Sequence, residues 1–105
     1  MNSIVGTWDL RLRTPVGTLA VVYTFTDTVA GPRGLAESTG ETVSLTDIEE
    51  QAAAEGRRVT WRQLVTRPMR LNLDFDVTVV GDTLTGHSRA GRLPRSSVTG
   101  TRRPG

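Results

Sequence analysis

The sequence contains no cysteine, and this one absence removes disulfides, thiolate nucleophiles, zinc-thiolate sites and iron-sulfur clusters together. Lysine is also missing: all 13 basic residues other than histidine are arginine, so Schiff-base chemistry on a lysine amine is excluded. Histidine occurs once, at His87, and aromatic residues make up only 5% of the chain. No apolar run approaches the ~20 residues that a membrane helix needs, and the opening MNSIVGTW has neither the basic nor the apolar region of a secretory signal. The expectation is a cytoplasmic protein with no membrane partner.

What is present fits one domain. A chain of 105 residues with 36% hydrophobic and 23% charged content can bury one core and is too short for two. A single domain over residues 1–102, with 103–105 as a tail, is expected. Residues 1–56 carry three arginines against eight acids, whereas residues 57–105 carry ten against three. If sequential strands are neighbours, that division makes one side acidic and the other basic, a dipole that would favour an acidic ligand or a homodimer. The competing reading is a solvated surface of mixed charge.

The dominant period is two, with turns at short intervals. Residues 5–14 place Trp8, Leu10 and Leu12 on one face, and residues 18–29 place Leu19, Val21, Tyr23 and Phe25 there. The stretch Gly31-Pro32-Arg33-Gly34 reads as a turn. Short strands follow at 35–39 and 42–48, then 59–66 with Val59, Trp61, Gln63 and Val65 in one register. In residues 69–79, Met69, Leu71, Leu73, Phe75, Val77 and Val79 share one face, opposite Arg70, Asn72, Asp74, Asp76 and Thr78. Gly81-Asp82 turns the chain into a strand through Leu84 and Ser88, and a last strand covers 95–102.

One segment offers two readings. Thr46-Asp47-Ile48-Glu49 fits a helix capping box, three alanines follow at 52–54, and Gly56 suits a C-cap. Against that, the flanking strands are adjacent and antiparallel, which favours a long hairpin turning near Glu55-Gly56. Taking the hairpin, the chain reads as all-β: an eight-stranded antiparallel up-and-down β-barrel, because apolar faces without covering helices must close on themselves.

The opening Gly6-Thr7-Trp8 and the closing Thr99 to Arg102 resemble the two ends of a calycin-like barrel, the group that holds lipocalins, avidins and fatty-acid-binding proteins. The resemblance implies that Trp8 packs at a closed barrel end beneath Arg102, where cation-π contact is physically sensible. The chain also resembles small bacterial stand-alone barrels that include cofactor-free polyketide cyclases, spirotetronate-forming Diels-Alderases among them. That second likeness implies small-molecule chemistry inside the barrel and matches no catalytic motif.

Candidate site residues follow from the inward register. Tyr23 and Gln63 are polar groups on apolar faces and are the catalytic candidates; each must be satisfied by the other, by backbone, by water or by a ligand. Phe25, Trp61, Met69 and Phe75 would supply an adaptable apolar wall, with Ser88 and, from a loop, Arg67 as further ligand contacts. Glu37 is a weaker addition, and Arg92 and Arg95 join Arg67 in loops suited to a carboxylate or enolate. His87 shares its parity with Thr83 and Thr85 and points outward, which argues against a catalytic triad. Asp74 and Asp76 read as a solvated pair facing Arg62 or Arg70, with a metal or acid-base site as the alternative. No metal set and no cofactor motif occurs. Nucleic acid is disfavoured because the aromatics fall on the inner face and not beside the arginines. The expected function is binding of a small hydrophobic molecule, by a cofactor-independent cyclase or isomerase of secondary metabolism or by a non-catalytic carrier or sensor.

Overall fold

The computed structural model describes residues 3–14, 17–38, 40–65 and 70–104. Nine strands follow one another: β1 (Gly6–Thr14), β2 (Gly17–Thr28), β3 (Gly31–Ser38), β4 (Glu41–Ser44), β5 (Thr46–Ala52), β6 (Arg57–Val65), β7 (Leu71–Val80), β8 (Thr83–Ala90) and β9 (Ser96–Arg102). They form one sheet in the order β4-β3-β2-β1-β9-β8-β7-β6-β5, every pair antiparallel. Pairing of β1 with β9 joins the two halves of the meander, and the sheet curls until its edges β4 and β5 approach. The result is an up-and-down barrel that is nearly closed.

The count is nine strands and not the expected eight, and Leu45 is the reason. The expected strand at 42–48 divides there: β4 pairs with β3, Leu45 turns its side chain into the core while its N–H donates to the Gly34 carbonyl at 2.9 Å, and β5 pairs with β6. Just beyond, Asp47 adopts φ 52° and the register shifts between Thr46 and Glu49. A bulge of this kind bends a strand and lets it change partners. The capping-box residues therefore form a bulge, and the hairpin reading holds: β5 runs to Ala52 and the chain reverses over 53–56. Gly56 takes φ 71°, and a Cβ there would stand 2.0 Å from the Val79 carbonyl oxygen, so no other residue fits unstrained.

The expected turn at 31–34 is also strand. β3 begins at Gly31 and pairs with β2 from there to Glu37, the turn being residues 29–30. Pro32 sits on the stretch of β3 that β4 does not cover, where a missing donor costs least. At Gly34 an added Cβ would meet Leu45 at 2.7 Å and the Phe25 ring at 3.0 Å, so the absent side chain makes room for both.

Inside, the inward registers meet as one core that includes Trp8, Leu10, Tyr23, Phe25, Trp61, Phe75 and the valines of β6, β7 and β9. Trp61 stacks on Phe75 with ring centres 4.8 Å apart, and Phe25 and Tyr23 approach Trp61 at 5.2 and 5.7 Å in tilted arrangements, the geometries that aromatic quadrupoles favour.

One end of this core is sealed. Trp8 is fully buried and its indole N–H donates to the Ile4 carbonyl at 2.8 Å. The Arg102 guanidinium lies 4.4 Å from the Trp8 ring centre, donates to the carbonyls of Val5, Ser3 and Gly81, and bonds the Asp82 carboxylate at 2.9 Å. The Trp8–Arg102 contact is thus the one that the opening and closing motifs implied. Replacing Arg102 by Met keeps the aliphatic stem and removes these bonds, so unfolding in urea should show a loss of about 3 kcal/mol. Arg103→Met, which breaks only an exposed pair with Asp9, should leave the midpoint nearly unchanged.

Candidate functional site at the open end of the barrel

Burial falls off along the inward registers in one direction. On β2 it runs from buried Phe25 and Tyr23 through half-buried Val21 to Leu19, 55% exposed; on β6 from Val59 and Trp61 through Gln63 to half-buried Val65; on β7 from Val79, Val77 and Phe75 to half-buried Leu73 and Leu71. All three gradients point to the barrel end that carries the β1–β2, β3–β4, β6–β7 and β8–β9 connections. Val43 of β4 and Ala90 of β8 are half-buried at the same end. The end opposite Arg102 therefore carries inward apolar side chains that the fold leaves partly uncovered, and we call this half-buried end the cup.

Its floor is polar. The Tyr23 hydroxyl donates to the Gln63 side-chain oxygen at 2.7 Å, and both residues are buried. Burial pushes the Tyr23 hydroxyl well above its ordinary pKa, with the bond to Gln63 opposing the shift only in part. Tyr23 is therefore a neutral donor that holds the Gln63 amide oxygen, and the amide nitrogen is a double donor that this bond does not use. Ser88 is buried on the same inner wall, one strand beyond Phe75, which itself pairs with Trp61. The Trp61 indole N–H is buried with no hydrogen-bond partner among the described residues, a state that costs on the order of 1–3 kcal/mol unless an acceptor arrives.

The fold thus brings Tyr23, Gln63, Trp61, Phe75 and Ser88 together. Phe25 joins the ring cluster from the sealed side, beneath the pair and not in the cup wall. Met69 and Arg67 lie outside the described residues. Glu37 faces outward, since Gly34 and Ala36 hold the inner register of β3. Sequence reading missed Glu41: it pairs with Ser38, shares the register of Val43 and sits half-buried at the cup's edge. The signal was the length of the β3–β4 turn, which fixes that parity and cannot be counted from composition.

The outer wall carries the remaining candidates. Asp76 is held by Arg58 through two bonds of 2.9 and 2.6 Å, and Asp74 by Arg62 at 3.1 Å. The Arg58 guanidinium keeps the Asp76 carboxyl below the usual carboxylate range. These cross-strand pairs, with Arg103–Asp9 on the far side, neutralise acids locally, so the uneven charge along the chain makes no simple dipole. His87 points outward, as its parity required, and is half-buried beside Asp76. Arg95 also stands on this wall and not at the cup. Among the described residues no group of three His, Asp or Glu side chains is placed to hold a metal, and no helix is long and apolar enough to cross a membrane.

No family model, curated protein or solved structure matches this chain.

Tyr23 is the sole tyrosine, so its titration can be read without assignment. Because its folded pKa lies above the unfolded value of about 10, the neutral hydroxyl's stabilising effect is complete below pH ~10 and is lost as pH rises further. Native protein should show no phenolate absorbance at pH 10–11, appearing only with unfolding. A native titration near pH 10 would mean a solvated hydroxyl. Tyr23→Phe, which strands the Gln63 oxygen, should lower stability by about 1–2 kcal/mol.

Proposed function

We propose that the barrel binds a small hydrophobic molecule in the cup and acts on it as a cofactor-independent cyclase or isomerase. The observation that carries the reading is the set of inward donors, the Gln63 amide and the orphaned Trp61 N–H, beneath half-buried Leu71, Leu73, Val21 and Val65. An apolar chain entering the cup would cover those side chains, and holding a flexible substrate in a reactive shape lowers a barrier by removing orientational freedom. A carbonyl oxygen reaching the floor would meet the Gln63 N–H, a fixed donor for charge that develops on oxygen during ring closure or double-bond migration. Tyr23 is then a positioning residue: it grips the amide oxygen and fixes which way the N–H groups point.

A carrier or sensor is the second reading, favoured by one feature. The Tyr23 hydroxyl and the Gln63 oxygen already bond each other, so that pair keeps its place without a ligand and asks no chemistry of one.

The binding step is tested with N-phenyl-1-naphthylamine, an uncharged apolar dye. Its fluorescence should rise saturably on addition of protein, and Leu19→Glu, a change at an exposed inward position, should weaken the dye about tenfold without moving the unfolding midpoint. Equal binding by the variant, or none by either protein, would remove the cup as a site. Catalysis is then separated from carriage with linear polyenes bearing a ketone: a cyclised or isomerised product formed more slowly by Gln63→Ala supports the enzyme, and unchanged compound recovered at one equivalent supports the carrier.

A further inference from the structure

The outer faces of β5, β6, β7 and β8 form a groove of about 620 Å³, unexpected on a barrel's convex side. Two features raise its banks. The bulge lifts Asp47 along β5 on one side; on the other, Arg89, its side-chain Nε–H donating to the Leu93 carbonyl at 3.0 Å, and Arg95 stand over β8. Across the floor one row of paired positions runs Glu49, Thr60, Asp76, His87.

Most charges here are already used. Arg58 holds Asp76, and Arg62 holds Asp74 while reaching Asp47 at 3.7 Å. Three charged side chains lining the groove make no ion pair among the described residues: Glu49 on one bank, Arg89 and Arg95 on the other, with Arg95 near enough to Asp76 to help keep its carboxyl charged. With their side chains upright on the sheet they stay apart, because three strand spacings of ~4.8 Å separate β5 from β8 by roughly 14 Å. Charges of opposite sign on facing banks, none closed into an ion pair, complement a molecule with opposite charges at its two ends.

We propose that this groove binds a short peptide by its two termini, the ammonium at Glu49 and the carboxylate at Arg89 and Arg95, with the peptide lying across β6 and β7. Length decides the class. Each extended residue spans about 3.5 Å, so three residues with an ion-pair contact of about 3 Å at each end cover the roughly 14 Å between upright side chains, whereas the two charges of a single amino acid fall short. Arginine suits the carboxylate end because its planar fork meets both oxygens. Thr60 and the half-buried His87 lie beneath, where they can bond the peptide groups. The inference does not depend on the cup, which opens at the barrel end and not on this wall.

Triglycine, N-acetyl-triglycine and triglycinamide distinguish the contributions of the two termini. In an NMR titration at low ionic strength, triglycine should shift the His87 imidazole and the β6 and β7 amides saturably. Blocking either terminus should weaken binding about fivefold, the worth of an exposed ion pair, and free glycine should bind more weakly than both blocked peptides. Glu49→Gln should make triglycine and its N-acetyl form equivalent, and Arg95→Gln should narrow the gap between triglycine and its amide; both residues are exposed, so the variants keep the fold. Equal affinities for all three peptides, saturation at other residues, or no saturation at millimolar concentrations would overturn the proposal. So would a concentration-dependent rise in mass with loss of the same signals, which would give the groove to a second copy of the chain.

Discussion

The Arg102 guanidinium over Trp8 is the constraint on which the rest of the barrel depends. It gathers carbonyls from the segment before β1 and from the β7–β8 turn, together with the Asp82 carboxylate, onto one cation. One side chain thus ties two segments far apart in sequence to the last strand. That end is filled by Ile4, Trp8 and the guanidinium, whereas the inward side chains at the other end are partly uncovered. The gradient of exposure along β2, β6 and β7 follows from this asymmetry.

Much of the fold was legible because period-two patterning is a direct record of which face meets the core. Trp8, Tyr23, Trp61, Gln63, Phe75 and Ser88 all face inward as their parity required, and the Tyr23–Gln63 bond is one of the pairings that their shared register allowed. Parity is reliable along a strand and uninformative across a turn. That is why Glu41 was missed: one residue more or less between β3 and β4 reverses every side chain that follows. Leu45 and Asp47 were illegible for a different reason. A strand that changes partners keeps its apolar pattern, and only the tertiary pairing with β3 and then β6 reveals the bend. The glycines at 31 and 34 read as turn residues in the sequence; Gly34 serves instead to admit Leu45 and the Phe25 ring.

The outer wall carries a second lesson about charge. Linear counts divide the chain into an acidic and a basic half, yet antiparallel pairing sets the acids of β7 beside the arginines of β6 and brings Arg103 back to Asp9. Electrostatic character is therefore set by cross-strand neighbours and not by position along the chain. What survives this local cancellation, a carboxylate on one bank and two guanidinium groups on the other, is more informative than the net charge of +2.

Pairing of β1 with β9 places Trp8 beside Arg102, the first strand against the last. Every other ladder in the sheet joins strands that are close in sequence, and each can zip locally from its own turn. The closing ladder cannot: it must bring together segments separated by almost the whole chain, at the entropic cost of the largest loop the molecule can form. During synthesis the hairpins can assemble as they emerge, but the apolar interior stays open to solvent until β9 has been made. The barrel is thus sealed by its last strand, and the time between the first strand and the last is when its valine-rich inner face is most exposed to other chains.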